Sequence, residues 1–277
     1  MTRFAAIPVL FLALAQVPLT PVENALSFSV PLDLGYRQMY NLQFEDAHQI
    51  FQAYEQMYPE DPMGPTSQAA AYLFSEFDRL GVLQSELFVN DEMFERRSKP
   101  APNPTVRAAF KQAIDKSNLR ADAALARSPN HRDALLAKVL NLGLESDYLA
   151  MVEKRNMAAV NTSKKASELA DRLLRSAPDC YDAYLAIGVE NYLLGLKPAP
   201  VRWFLRLYGA RTNKQEGIRK LELTAEKGHY LLPYARLMLA VAALRDNDHN
   251  RARELLANLA QEFPNNTLYR KELAKLQ

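Results

Sequence analysis

Residues 34–61 read LGYRQMYNLQFEDAHQIFQAYEQMYPED, and their spacing predicts two short helices and a stop. Leu34, Gly35 and Met39 carry the first helix, and a polar break follows at Asn41-Leu42-Gln43. Phe44, Ala47, Ile50, Phe51, Tyr54 and Met57 then recur at steps of three and four, the apolar stripe of an amphipathic helix. Pro59 ends the second helix, because the residue before a proline is pushed out of the α region.

The same stop recurs at Pro129, Pro178 and Pro264, so the four fall 70, 49 and 86 residues apart. Between them the apolar periods predict helices over 66–80 (with Gly81 as terminator), 105–127, 133–148, 164–176, 179–195, 214–227, 231–244 and 250–263. A charged helix over 268–276 closes the series. Residues 84–104 read as a loop, or a short helix with a loop, ended by Pro100, Pro102 and Pro104. Residues 153–163 read as a polar connection, and residues 196–213 as an insertion that delays the second helix of its pair.

This grammar resembles the tetratricopeptide repeat (TPR). Leu34-Gly35 stands in the first helix, small Ala47 and aromatic Phe51 in the second, and Pro59 at the exit. Tyr184, Ile187 and Gly188 match the aromatic, aliphatic and glycine positions of a later pair, and Ala240, Ala252, Leu256 and Pro264 fit another. The family's 34-residue period accounts for the first spacing as two repeats; the other two need insertions. The resemblance implies an all-α, right-handed α-solenoid of about five TPR-like helix pairs with insertions and a C-terminal capping helix. A generic α-helical bundle is the alternative. The first helices of the pairs would line a concave groove. The family's groove positions fall on Tyr36, Tyr40, Asp182, Leu185, Val189, Tyr192, Tyr234, Leu237, Val241 and Arg245. This apolar, aromatic set lacks the Lys/Asn/Arg clamp with which some TPR domains hold a C-terminal carboxylate. It suits an amphipathic helix or hydrophobic peptide, unless the chain's own insertions fill it.

Composition narrows the class. The chain has 277 residues, 48% hydrophobic and 24% charged, with a net charge of +2. That balance is globular and shows no concentrated basic face, so nucleic acid is not an expected partner. Arg3 followed by apolar residues 5–15 has the length of a signal-peptide core rather than a membrane span. Ala13-Leu14-Ala15 supplies a cleavage signature before Gln16. The expected organisation is a signal peptide over 1–15 (or an uncleaved anchor), a linker over 16–30 and a repeat domain over 31–277. The mature protein would then be periplasmic or secreted. Cys180, the single cysteine, reads as a small, half-buried helix residue.

Chemistry-bearing motifs are sparse. His48, His131, His229 and His249 are never one helical turn apart, so no metal pair is expected. No phosphate loop, dinucleotide fingerprint or nucleophile elbow occurs, and no catalytic residue or cofactor is assigned. Glu145-Ser146 resembles the opening of a lytic transglycosylase motif, but no Gly-Leu-Met-Gln segment follows. The expected function is a non-catalytic scaffold that binds a peptide or helical protein segment. The alternative is a cell-envelope enzyme or accessory subunit built on a helical superhelix. The insertion adds Arg202, Trp203 and Arg206 as a short basic-aromatic element. It suits a weak membrane-interface or anion contact, or packing of its aromatics against neighbouring repeats. Oligomeric state is open.

Overall fold

Tyr58, Ser128, Ala177 and Phe263 leave their helices in the same way. Each has φ between −123° and −142° and ψ between 71° and 98°. Each amide donates to the carbonyl four residues back at 2.8–2.9 Å. Each carbonyl accepts the amide three residues on, from Asp61, His131, Cys180 and Asn266, at 3.0–3.1 Å. The following proline forces this extended backbone and redirects the chain into the next helix. In a computed structural model describing residues 32–82 and 101–276, these four turns punctuate an all-helical chain.

The described helices are α1 (Leu32–Tyr40), α2 (Phe44–Met57), α3 (Met63–Leu80), α4 (Pro104–Arg127), α5 (Arg132–Met151) and α6 (Asn156–Ser176). A 3-10 turn at Tyr181–Ala183 leads into α7 (Tyr184–Gly195), followed by α8 (Ala199–Leu207) and α9 (Lys214–Lys227). Next come α10 (Leu232–Arg245), α11 (His249–Glu262) and α12 (Thr267–Ala274). Among the described residues there is no strand. Helices pair as α1–α2, α3–α4, α5–α6, α7–α9 and α10–α11, and α12 packs on α11. Each pair also rests on the next, and α1, α3, α5 and α7 touch in succession. The stretches expected to be a signal peptide (1–15) and a linker (16–30), and most of residues 84–104, lie outside the described residues.

Glycine sets the spacing of the fourth pair. A Cβ at Gly188 would sit 3.0 Å from Leu221 Cγ, and one at Gly217 would sit 2.5 Å from the Tyr192 amide nitrogen. Both faces are therefore stripped to backbone where α7 and α9 cross. Gly81 closes α3 in the left-handed region at φ 62°, as its place after Leu80 predicts.

Two readings need correction. The polar connection expected over 153–163 is mostly helix, because α6 begins at Asn156. Up to Ala170 its fully buried residues are small, Ala159, Ala166, Ser167 and Ala170, before Leu173 closes the face. Such a stripe carries little hydrophobic signal. Cys180 is fully buried and sits just before the 3-10 turn rather than in a helix.

The first described pair meets the last along a seam. Tyr36 stacks on Tyr230 with ring centroids 4.7 Å apart, and Tyr40 packs against Phe263 at 5.6 Å. The Tyr40 hydroxyl donates to the Tyr230 carbonyl at 3.0 Å. Asn266 Nδ2 donates to the Tyr40 carbonyl at 2.8 Å, and the Asn265 amide donates to Asn41 Oδ1 at 3.2 Å. One buried apolar cluster accordingly runs from Leu32, Tyr36 and Phe51 through Leu135 and Ile187 to Leu259, Phe263 and Tyr269. A second cluster joins Tyr192, Leu221, Met238 and Leu256; a third joins Leu73, Phe110, Ile114 and Tyr148.

Candidate functional site

The inner helices enclose two apolar cavities that share a wall. The smaller, about 70 Å³, lies beside Tyr36, Tyr40, Phe74, Leu140 and Leu185. The larger, about 240 Å³, lies beside Phe77, Ala150, Val160, Tyr192, Met238 and Val241. Ser146, Asp147, Ser163, Val189 and Tyr234 border both. Leu193, Leu196, Lys197 and Arg245 also line the larger cavity, and Leu193 is exposed there. Such a space suits an apolar occupant held by a few polar groups.

The polar centre is Asp147, on the inward stripe of α5 with Leu140, Gly143 and Leu144. Tyr234 Oη donates to Asp147 Oδ2 at 3.2 Å, joining α10 to α5 across the wall between the cavities. The carboxyl is only partly covered, yet its open side borders the cavities. Burial pushes its pKa up to about 7, with the Tyr234 hydrogen bond pulling the other way. The same burial, with the nearby Asp147 charge, raises the Tyr234 phenol well above its usual range. Ser146 Oγ donates to the Ala159 carbonyl at 2.9 Å, which ties α5 to α6. Glu190 is buried, accepts the Arg211 amide through Oε1 at 3.1 Å, and has its Oε2 4.0 Å from Arg211 Nε.

Five of the ten anticipated groove residues line the larger cavity: Val189, Tyr192, Tyr234, Val241 and Arg245. Val189 and Tyr234 also border the smaller one, and Leu185 borders only the smaller. Leu237 is half-buried and packs between the first two apolar clusters. Tyr36, Tyr40 and Asp182 are engaged by the chain itself. Tyr36 accepts from Ser67 Oγ at 3.2 Å and stacks on Tyr230; Tyr40 bonds the Tyr230 carbonyl. Asp182 gathers three backbone amides: His229 and Leu231 on Oδ1 at 2.9 and 3.1 Å, and Tyr230 on Oδ2 at 3.1 Å. Burial raises its carboxyl pKa even against those amides. It therefore anchors the turn that leads into α10.

Asp147 was missed in the sequence although a signal was present. It lies three to four residues from Gly143 and Leu144, so it is a carboxylate on an apolar stripe. The insertion holds α8. Trp203 there is exposed, so the reading that its aromatics tuck against neighbouring repeats fails for this residue. Arg202 Nη1 donates to the Lys197 carbonyl at 2.9 Å and Arg206 Nε to Thr212 Oγ1 at 2.6 Å. Among the described residues no cluster of three or more His, Cys, Asp or Glu side chains is placed to hold a metal. Compared with known proteins, the chain matches no protein-family model, no curated protein and no solved structure.

Proposed function

We propose that this chain is an exported, non-catalytic interaction module of TPR type, a right-handed array of five helix pairs and a cap. It takes an apolar segment of a partner protein into the larger inner cavity. The four equivalent proline exits and the serial packing of pairs support the repeat reading. The observation that carries the binding reading is the 240 Å³ cavity itself. Val189, Tyr192, Tyr234, Val241 and Arg245, assigned to the ligand face by the repeat pattern, all line it. The Tyr36–Tyr40 end of the groove is occupied by the seam, so the binding surface is the part between α5, α6, α7 and α10. Ser146 is committed to a main-chain carbonyl and Asp147 to Tyr234.

The test is site-specific photo-crosslinking in a cell-envelope extract. A photoreactive side chain at Leu193, on the cavity mouth, is compared with one at Gln112, exposed on α4. Capture of a discrete protein from Leu193 alone, abolished when Ala150→Phe fills the cavity, is expected. Equal labelling from Gln112, or none from Leu193, overturns the reading.

A further inference from the structure

Apolar surface is unevenly distributed over this molecule. Of the ten large hydrophobic side chains exposed among the described residues, five fall between Leu193 and Tyr208. Leu193 is 41% exposed, and Val201, Trp203, Leu207 and Tyr208 between 43% and 65%. Trp203 and Leu207 are one turn apart on α8, and none of the described side chains of that helix is buried. Hydrogen bonds at its ends hold it instead: Arg202 to the Lys197 carbonyl, Arg206 to Thr212, and Lys164 Nζ to the Tyr208 carbonyl at 2.6 Å. A helix that keeps the indole of Trp203 and the side chain of Leu207 in water is not explained by the packing of the described residues.

Charge tells what covers it. From Asn191 to Gln215 the sequence has no Asp or Glu and five basic residues: Lys197, Arg202, Arg206, Arg211 and Lys214. Arg211 is spent on Asp171 and Glu190, and Lys214 on Asp246. Lys197, Arg202 and Arg206 have no carboxylate within ion-pair distance among the described residues. An indole and a phenol beside uncompensated arginines on a short, projecting amphipathic helix match the depth and polarity of a bilayer headgroup layer. No described helix is long and apolar enough to cross a membrane, so the contact is peripheral.

We infer that α8 and its flanks form a docking surface for an anionic lipid bilayer, with Trp203 and Leu207 inserted at the interface and Lys197, Arg202 and Arg206 facing the lipid phosphates. This goes beyond the cavity reading and does not depend on it.

Trp203 is the only tryptophan in the chain, so its emission reports this helix alone. The full chain is titrated with phosphatidylcholine vesicles with and without phosphatidylglycerol. The expected result is a blue shift with the anionic vesicles that is reversed by molar salt and much weaker with the neutral ones. Lys197→Gln, whose side chain is not among the hydrogen bonds that hold the helix, lowers the affinity for anionic vesicles about fivefold. Leu207→Asn weakens binding while leaving the helical circular dichroism unchanged, because the side chain is exposed. The apolar residues 5–15 can carry the chain onto vesicles by themselves, but that leaves the indole in water. Sedimentation with vesicles without a shift in Trp203 emission therefore overturns the proposal. So do an equal shift with both vesicle types and a shift that grows with protein concentration in the absence of lipid, which assigns the surface to a second copy.

Discussion

The side-chain amide of Asn266 donates to the main-chain carbonyl of Tyr40 across 226 residues of sequence, at 2.8 Å. The same side chain caps α12, since its Oδ1 accepts the Leu268 amide at 3.0 Å. One residue thus starts the last described helix and fastens the first one to it. It is buried, so neither group has water as a substitute partner.

Asn266→Ala is expected to cost about 2 kcal/mol, from one lost cap and one carbonyl left without its donor. Chemical denaturation measures it. In a cycle with Tyr36→Ala, which removes the stacking on Tyr230, the two losses are expected to add to less than their sum, because either one opens the same seam. Strict additivity would mean that α1 stays docked without Asn266.

The Asp147 carboxyl ionises near pH 7 in the folded chain and near 4 once unfolded. Between those values the folded state holds a proton that the unfolded state has lost. Its contribution is therefore complete below about pH 4, falls as pH rises, and is gone above about pH 7. Asp147→Asn, which keeps the shape and stays neutral, is expected to match the wild type near pH 4. At pH 8 it should exceed it by about 1 to 3 kcal/mol, a range reduced for the partial exposure of the group. Urea midpoints at the two pH values decide this; an equal difference at both would remove ionisation of Asp147 from the account.

Two helical glycines should respond with opposite sign. Gly143 has open space where a Cβ would go, so Gly143→Ala is expected to stabilise α5 by about 0.5 to 1 kcal/mol. At Gly217 the added carbon would lie 2.8 Å from the Gly188 carbonyl oxygen as well as against Tyr192. Gly217→Ala should destabilise by about 1 to 3 kcal/mol as α7 and α9 are pushed apart. Thermal unfolding of the pair of variants tests both at once.

Eleven of the twelve described helices, with most of their boundaries, were legible because apolar steps and proline stops are local; α8, inside the insertion, was not among them. Lys214–Lys227 is read to the residue, and residues 105–127 differ from α4 by one position. Residues 153–163 misled because this first part of α6 buries only Ala159, whose contact value depends on the close neighbour and not on its own hydrophobicity. The seam was illegible for a different reason. Tyr36 and Tyr40 occupy positions that a repeat assigns to a ligand, and nothing local in the sequence shows that Tyr230 and Phe263 already fill that role. The candidate site was half legible: the repeat resemblance assigned Val189, Tyr192 and Val241 to the groove, and they line the larger cavity. Asp147 needed the fold to show that its apolar stripe faces a cavity.

The seam also sets a schedule. Most pairs find their partners nearby in sequence and can assemble as they are made. Tyr36 and Tyr40 cannot, because Phe263 and Asn266 are synthesised more than two hundred residues later. At ordinary elongation rates that interval is on the order of ten to fifty seconds. Throughout it, a half-made chain presents bare aromatic rings to its surroundings, and a holdase has that long to engage it before the ring of contacts can close.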